Sequence, residues 1–96
     1  MNNYWSTYVQ YSDELYRSRA LRFHEGNKNL WLNLIGVRDG MKVLEVGCGS
    51  GIFCHRIKTY LPNTTVTGVD LDTGHIEYAK KKSKELGIDC TFINAD

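Results

Sequence analysis

The sequence predicts an α/β fold in which N-terminal helices precede a β-α-β-α-β unit of parallel sheet. Three short β-rich runs, 42–46, 65–69 and 90–93, alternate with two stretches of helical periodicity, 52–61 and 74–86. Strands joined by helical crossovers form a parallel sheet with right-handed connections. Since the chain has 96 residues, this unit leaves room for one domain at most.

Two helices are predicted before the first strand. The first lies in an aromatic stretch, 4–16, and the second runs over 26–35 with Gly36 as its stop. The apolar face of the first comprises Tyr4, Tyr8, Tyr11 and Leu15, and that of the second comprises Leu30, Trp31 and Leu34. We therefore divide the chain into an N-terminal helical lid or cap segment, 1–36, and a β-α-β-α-β unit, 37–96.

Each later helix has a predicted core-facing side and a clear end. Pro62 ends the first of them, and Gly87 ends the second. The core-facing residues are Ile52, Phe53, Ile57, Tyr60 and Leu61 in the first, and Ile76, Ala79, Ser83 and Leu86 in the second.

Composition and charge exclude several classes of function. The formal net charge is +1, from 12 basic and 11 acidic residues, so no general attraction to nucleic acid or to an anionic membrane is expected. No apolar run is long enough to span a bilayer, and the N-terminus lacks the pattern of a signal peptide. Three cysteines without framework spacing predict a reducing, cytoplasmic location, and the three scattered histidines predict no metal site.

A glycine-rich turn follows the first strand and indicates a ligand site. Gly47, Gly49 and Gly51 allow a sharp strand-to-helix turn, and the following helix N-terminus is expected to offer free N–H groups. Asp70 closes the second strand, where an acid can accept hydrogen bonds from both hydroxyls of a ribose. Alternatively, Asp70 caps the next helix, a role for which Asp72 and Thr73 compete.

The glycine spacing argues against a dinucleotide ligand. The dinucleotide fingerprint is G-x-G-x-x-G, whereas this turn is G-x-G-x-G, with Ile52 where the third glycine would fall. Glu45 lies two residues before the first glycine, where an anion disfavours a pyrophosphate and suits a cationic amino group. The alternatives without a binding role are that Glu45 is an ordinary solvent-facing acid at the strand end and that Cys48 is a small loop residue.

The segment Val43–Gly51 resembles the glycine-rich first motif of class I S-adenosylmethionine-dependent methyltransferases. Residues 68–72 and 92–96 resemble the second motif and the start of the third, so the resemblance covers 41–96. It implies a Rossmann-like fold with S-adenosyl-L-methionine as cofactor. It further implies backbone contacts to the methionine part of that cofactor from Gly47, Cys48, Gly49 and Gly51.

The resemblance also implies roles for four side chains. Glu45 would meet the cofactor ammonium, Asp70 the ribose hydroxyls, Leu71 the adenine ring and Asp96 the adenine amino group. A leading arginine could meet the cofactor carboxylate, and the spacing leaves three candidates open, Arg17, Arg19 and Arg22.

The implied activity is methyl transfer to an acceptor, with a small molecule favoured over a quinone precursor, a protein or RNA. No catalytic base is assignable. The family's sheet has more strands than the three seen here, so we expect a piece of a longer enzyme that is inactive alone and self-associates through its open strand edge. The rival hypotheses are an NAD-dependent oxidoreductase half-domain and a non-catalytic Rossmann-like interaction module.

Overall fold

A computed structural model of the chain describes residues 13–95 and confirms the α/β class. Residues 13–20 are helical (α1), and a single 3-10 turn, Glu25–Asn27, precedes the second helix. The remaining elements follow as α2 (Lys28–Ile35), β1 (Lys42–Val46), α3 (Ile52–Tyr60), β2 (Thr65–Asp70), α4 (Thr73–Leu86) and β3 (Thr91–Asn94). Tyr4, Tyr8, Tyr11 and Asp96 lie outside the described residues.

The three strands form one parallel sheet in the order β1-β2-β3. Val46 pairs with Val69, and Gly68 pairs with Phe92, so the strands end at the same edge of the sheet. Within residues 13–95, β1 is therefore an edge strand of the sheet. This order is expected when two successive crossovers have the same hand.

One face of the sheet carries the hydrophobic core. Val66 and Phe92 project from it, at 2% and 5% exposure, toward the helices. They pack in one cluster with Trp31 of α2, Cys54 and Ile57 of α3, and Ile76 and Ala79 of α4. The opposite face bears apolar side chains that the described residues leave open: Leu44, Val46 and Ile93 are 62%, 77% and 45% exposed.

The predicted helix faces were partly wrong. In α2 only Trp31 is buried, whereas Leu30 and Leu34 are 65% and 77% exposed, because the helix turns Trp31 and the partly buried Leu32 toward the core cluster. In α4 the residues Ile76, Ala79 and Ser83 are buried as predicted, but Leu86 is 49% exposed. It lies in the last turn, beyond which Gly87 turns the chain with a left-handed backbone.

Two observations bear on function in general. Among residues 13–95 no helix is long and apolar enough to cross a membrane. Within that same stretch, no group of three or more His, Cys, Asp or Glu side chains is arranged to hold a metal ion.

Candidate functional site

A groove of about 600 Å³ opens at the carboxyl ends of the three strands. Its lining comes from the residues that end each strand, namely Val46, Gly47, Val69, Asp70, Leu71 and Ala95. Ligands of open parallel sheets bind outside this edge, so the groove is the expected binding position. Of the predicted site residues, it brings together Gly47, Asp70 and Leu71.

Gly47 supplies open space at the floor of the groove. Its φ of +74° favours glycine, and a β-carbon built there would meet no atom within 4 Å. The missing side chain therefore leaves room for a ligand to lie directly against the backbone.

Gly51 has a different reason to be glycine. A β-carbon there would lie 2.9 Å from the Ala79 β-carbon and 2.9 Å from Phe92 Cζ. The residue thus lets the start of α3 approach α4 and β3 closely. Cys48 is likewise interior, 4% exposed, with its side chain over Gly68.

The glycine turn that precedes α3 uses four of its N–H groups in bonds within the chain. The N–H groups of Gly47 and Cys48 both donate to the Val69 carbonyl, at 2.8 and 3.0 Å. The Gly51 N–H donates to the Cys48 carbonyl, and the Gly49 N–H donates to Asp70 Oδ2 at 2.9 Å. A ligand at this turn therefore meets glycine surface and carboxylate oxygens rather than a nest of donors.

Asp70 holds two connections together. Besides the bond from Gly49, its Oδ1 accepts from the Asp72 N–H at 2.8 Å, and His75 Nδ1 lies 3.8 Å from the same oxygen. The side chain of Asp72, not that of Asp70, caps α4 by accepting from the His75 N–H at 3.1 Å. The competing interpretation of Asp70 as a mere cap is thereby wrong.

Glu45 lies behind the glycine turn, on the helix-covered face of the sheet. It is half-buried, and its Oε1 accepts from Cys54 Sγ at 3.2 Å. Burial raises the pKa of Glu45 to about 7, against the lowering effects of the Cys54 bond and the charge of Arg19. Glu45 does not line the groove itself, and the alternative of a freely solvated acid does not match its burial.

Arg19 of α1 reaches the same region from above. Its Nη1 would lie 3.2 Å from a β-carbon built at Gly49, and Gly49 itself is buried. Of the three arginine candidates, Arg19 is the one that the structure brings to the glycine turn. Spacing in the sequence did not distinguish it, because the packing of α1 against α3 and α4 decides which arginine faces the turn.

The end of β3 completes the groove. The Ala95 N–H donates to the Asp70 carbonyl at 3.0 Å, and the Asn94 amide donates to the carbonyls of Asp70 and Leu71. Leu71 remains 72% exposed, so its apolar side chain is available to a ligand. The predicted partner Asp96 directly follows Ala95 and lies outside the described residues.

Comparison with known proteins gives the family. The family model for a methyltransferase domain matches residues 37–96, well over half of the chain. The chain belongs to the methyltransferase-domain family. In this methyltransferase domain, the matched segment contains β1 through β3 and every lining residue of the groove.

Individual relatives agree with the family. The malonyl-[acyl-carrier protein] O-methyltransferase of Priestia megaterium is 36% identical over 84 residues, which cover 88% of this chain and 28% of that protein. Coclaurine N-methyltransferase, solved with N-methylheliamine and S-adenosylhomocysteine (SAH), has a TM-score of 0.67 at 26% identity and covers 71% of this chain and 20% of its own.

A methyltransferase from Aquifex aeolicus, described as SAM dependent, shares the fold with a TM-score of 0.70 at 23% identity. The match covers 92% of this chain and 47% of that one. This methyltransferase domain therefore spans less than half the length of each of the three proteins.

Proposed function

We propose that the chain forms the S-adenosylmethionine-binding part of an enzyme that transfers a methyl group to a small-molecule acceptor. The observation that carries the proposal is the groove at the strand ends, with open glycine surface at Gly47 and a carboxylate at Asp70. Membership of the methyltransferase-domain family and the SAH-bound relative support the same ligand.

The groups present suit the separate parts of this cofactor. Asp70 has lone pairs beyond those used by its two backbone donors, and these can accept from ribose hydroxyls. Leu71 offers an apolar surface to the adenine, and Asp96 would accept from its amino group. Gly47 and its neighbours would border the methionine part through their backbone.

Two opposite charges flank the glycine turn and match the ends of an amino acid. We assign the Arg19 guanidinium to the cofactor carboxylate and the Glu45 carboxylate to its ammonium, directly or through water. Carboxylate binding by a guanidinium is favoured because its planar donors match the two oxygens. The bound cofactor supplies an electrophilic methyl on sulfonium, and the residues named here bind and orient it.

A dinucleotide fits the site less well. A pyrophosphate binds through backbone N–H donors, and four of those in the turn, from Gly47, Cys48, Gly49 and Gly51, already have acceptors within the chain. The nearby carboxylates would in addition repel a phosphate. An interaction module without catalysis would have no use for the open groove that carries the proposal.

Charge and composition favour a small-molecule acceptor. The balanced net charge disfavours nucleic acid, and the aromatic leading segment suits a small organic acceptor. The solved coclaurine N-methyltransferase, which holds the small molecule N-methylheliamine, supports this class.

Calorimetry with S-adenosylmethionine, SAH and NAD tests the proposal. We expect the first two to bind and NAD to bind more weakly than either. NAD binding tighter than that of SAH would overturn the proposal.

A further inference from the structure

A buried chain of three polar side chains connects α1 with α3 and α4. The Tyr16 hydroxyl lies 2.8 Å from His55 Nδ1, and His55 Nε2 lies 2.8 Å from the Ser83 hydroxyl. His55 is 1% exposed, and Tyr16 and Ser83 are each 7% exposed. Because both hydroxyls can donate or accept, a neutral imidazole is satisfied at both nitrogens.

The groups of this chain keep their protons unchanged near neutral pH. Burial lowers the pKa of His55 to about 4 and raises that of Tyr16 to about 12. The Tyr16–His55 and His55–Ser83 hydrogen bonds are therefore kept at pH values near neutrality. The charged groups that act on His55, Lys82 and Arg56, lower its pKa further.

The same contacts dock α1 on the domain. The Tyr16 ring packs with Ile52 and Tyr78, and Lys82 Nζ lies 5.2 Å from its centroid. The Tyr78 hydroxyl donates to Asp13 at 2.6 Å, one turn before Tyr16 in α1. Helix α1 is thus held at two successive turns.

Arg19 lies three residues after Tyr16, on the neighbouring position of the same helix face. Its guanidinium reaches Gly49, so the docking of α1 decides where this charge lies. We propose that Tyr16, His55 and Ser83 are positioning residues that hold Arg19 over the glycine turn. The inference rests on the proposed function only for the identity of the ligand that Arg19 meets.

A ligand-independent measurement can report the position of Arg19. Its charge lowers the pKa of Glu45, so Arg19→Ala should raise that pKa, as measured by NMR titration of the carboxyl carbon. Tyr16→Phe, which keeps the ring and loses the hydroxyl, should raise it in the same direction. In the double variant the pKa should equal that of Arg19→Ala alone.

Binding of SAH gives the second measurement. Tyr16→Phe should weaken it by roughly two- to tenfold, since the free energy of the hydrogen bond that holds α1 sets the upper limit, and by less than twofold in the Arg19→Ala background. Ser83→Ala, at the far end of the chain and on α4, should show the same dependence on Arg19. Tyr60→Phe is the matched control, since the Tyr60 hydroxyl makes no hydrogen bond within residues 13–95.

The outcomes separate the two proposals. A wild-type chain that binds no SAH refutes the proposed function, while the Glu45 titration still decides the docking role. If Tyr16→Phe and Ser83→Ala leave the pKa of Glu45 unchanged, the positioning role is refuted even if SAH binds. Equal losses of affinity with and without Arg19 would refute it as well, because they would indicate a general loss of structure.

Discussion

Replacing Asp70 by alanine tests the centre of the candidate site. The substitution removes a carboxylate that accepts from the N–H groups of Gly49 and Asp72, at 2.9 and 2.8 Å. Two connections, the glycine turn and the entry to α4, thereby lose a common acceptor. The proposed ribose contact disappears at the same time.

The expected magnitude follows from these bonds. A hydrogen bond to a charged group contributes about 1.5–3 kcal/mol, so loss of the ribose contact should weaken SAH binding by roughly 10- to 150-fold. Each partly buried N–H left without its acceptor costs about 1–3 kcal/mol of folding free energy, less where water reaches it. The variant should therefore be less stable as well as a weaker binder.

Calorimetry with SAH, together with urea unfolding, separates these two effects, and Asp72→Ala is the matched control. It removes the cap of α4, which costs about 1 kcal/mol, but leaves the Asp70 carboxylate in place. In a domain of this size that loss lowers the Tm by about 4–8 °C. Equal losses of affinity in the two variants, or a larger loss in Asp72→Ala, would refute the assignment of Asp70.

Three further predictions follow from the same geometry. Gly49→Val should abolish SAH binding in a folded chain, because a branched side chain resists the φ of +57° and displaces the Arg19 guanidinium. Gly51→Ala, the control, should chiefly lower stability in urea unfolding. Unchanged affinity in a folded Gly49→Val would place the cofactor elsewhere. As pH decreases from 6.5 to about 4, the free energy of unfolding of Glu45→Gln should fall more steeply than that of the wild type. The raised pKa of Glu45, about 7, makes the native state less stable as pH rises, whereas the lowered pKa of His55, about 4, makes it more stable. Glu45→Gln removes the first effect and leaves the second. If the pH profile of urea unfolding is the same in Glu45→Gln as in the wild type, the two effects do not oppose each other. Since β1 is an edge strand within residues 13–95, the chain should dimerise or otherwise cover the Val43–Val46 edge. Sedimentation at several concentrations checks this, and a stable monomer would contradict the expectation.

The order of elements after the leading helices could be predicted because local signals mark each boundary. Positive φ values at Gly36 and Gly87 end two helices, and Pro62 follows the end of α3. The helix faces could be predicted only in part, and the prediction was wrong at Leu30 and Leu34, which are exposed. Periodicity gives the apolar side of a helix, but how far the neighbouring elements extend over it depends on packing.

In the candidate site too, some features follow from the sequence and others depend on packing. Gly47 and Asp70 were predictable because strand ends of a parallel sheet meet at one edge, whatever the packing around them. The Tyr16–His55 and His55–Ser83 contacts join residues 39 and 28 positions apart, on three different helices. No spacing within the sequence indicates such pairs. The internal use of the turn's N–H groups was also unpredictable, since it depends on the Val69 carbonyl of the neighbouring strand.

Asp70 explains why this turn can be ordered before a ligand arrives. One carboxylate oxygen fixes the Gly49 N–H and the other fixes the Asp72 N–H, so the two loops that border the groove share one anchor. Groups fixed in advance lose little conformational entropy on binding, which favours affinity. The same sharing implies that any change of Asp70 disturbs both loops. Its effect on SAH binding should therefore exceed that of removing a single contact, such as the one proposed for Leu71.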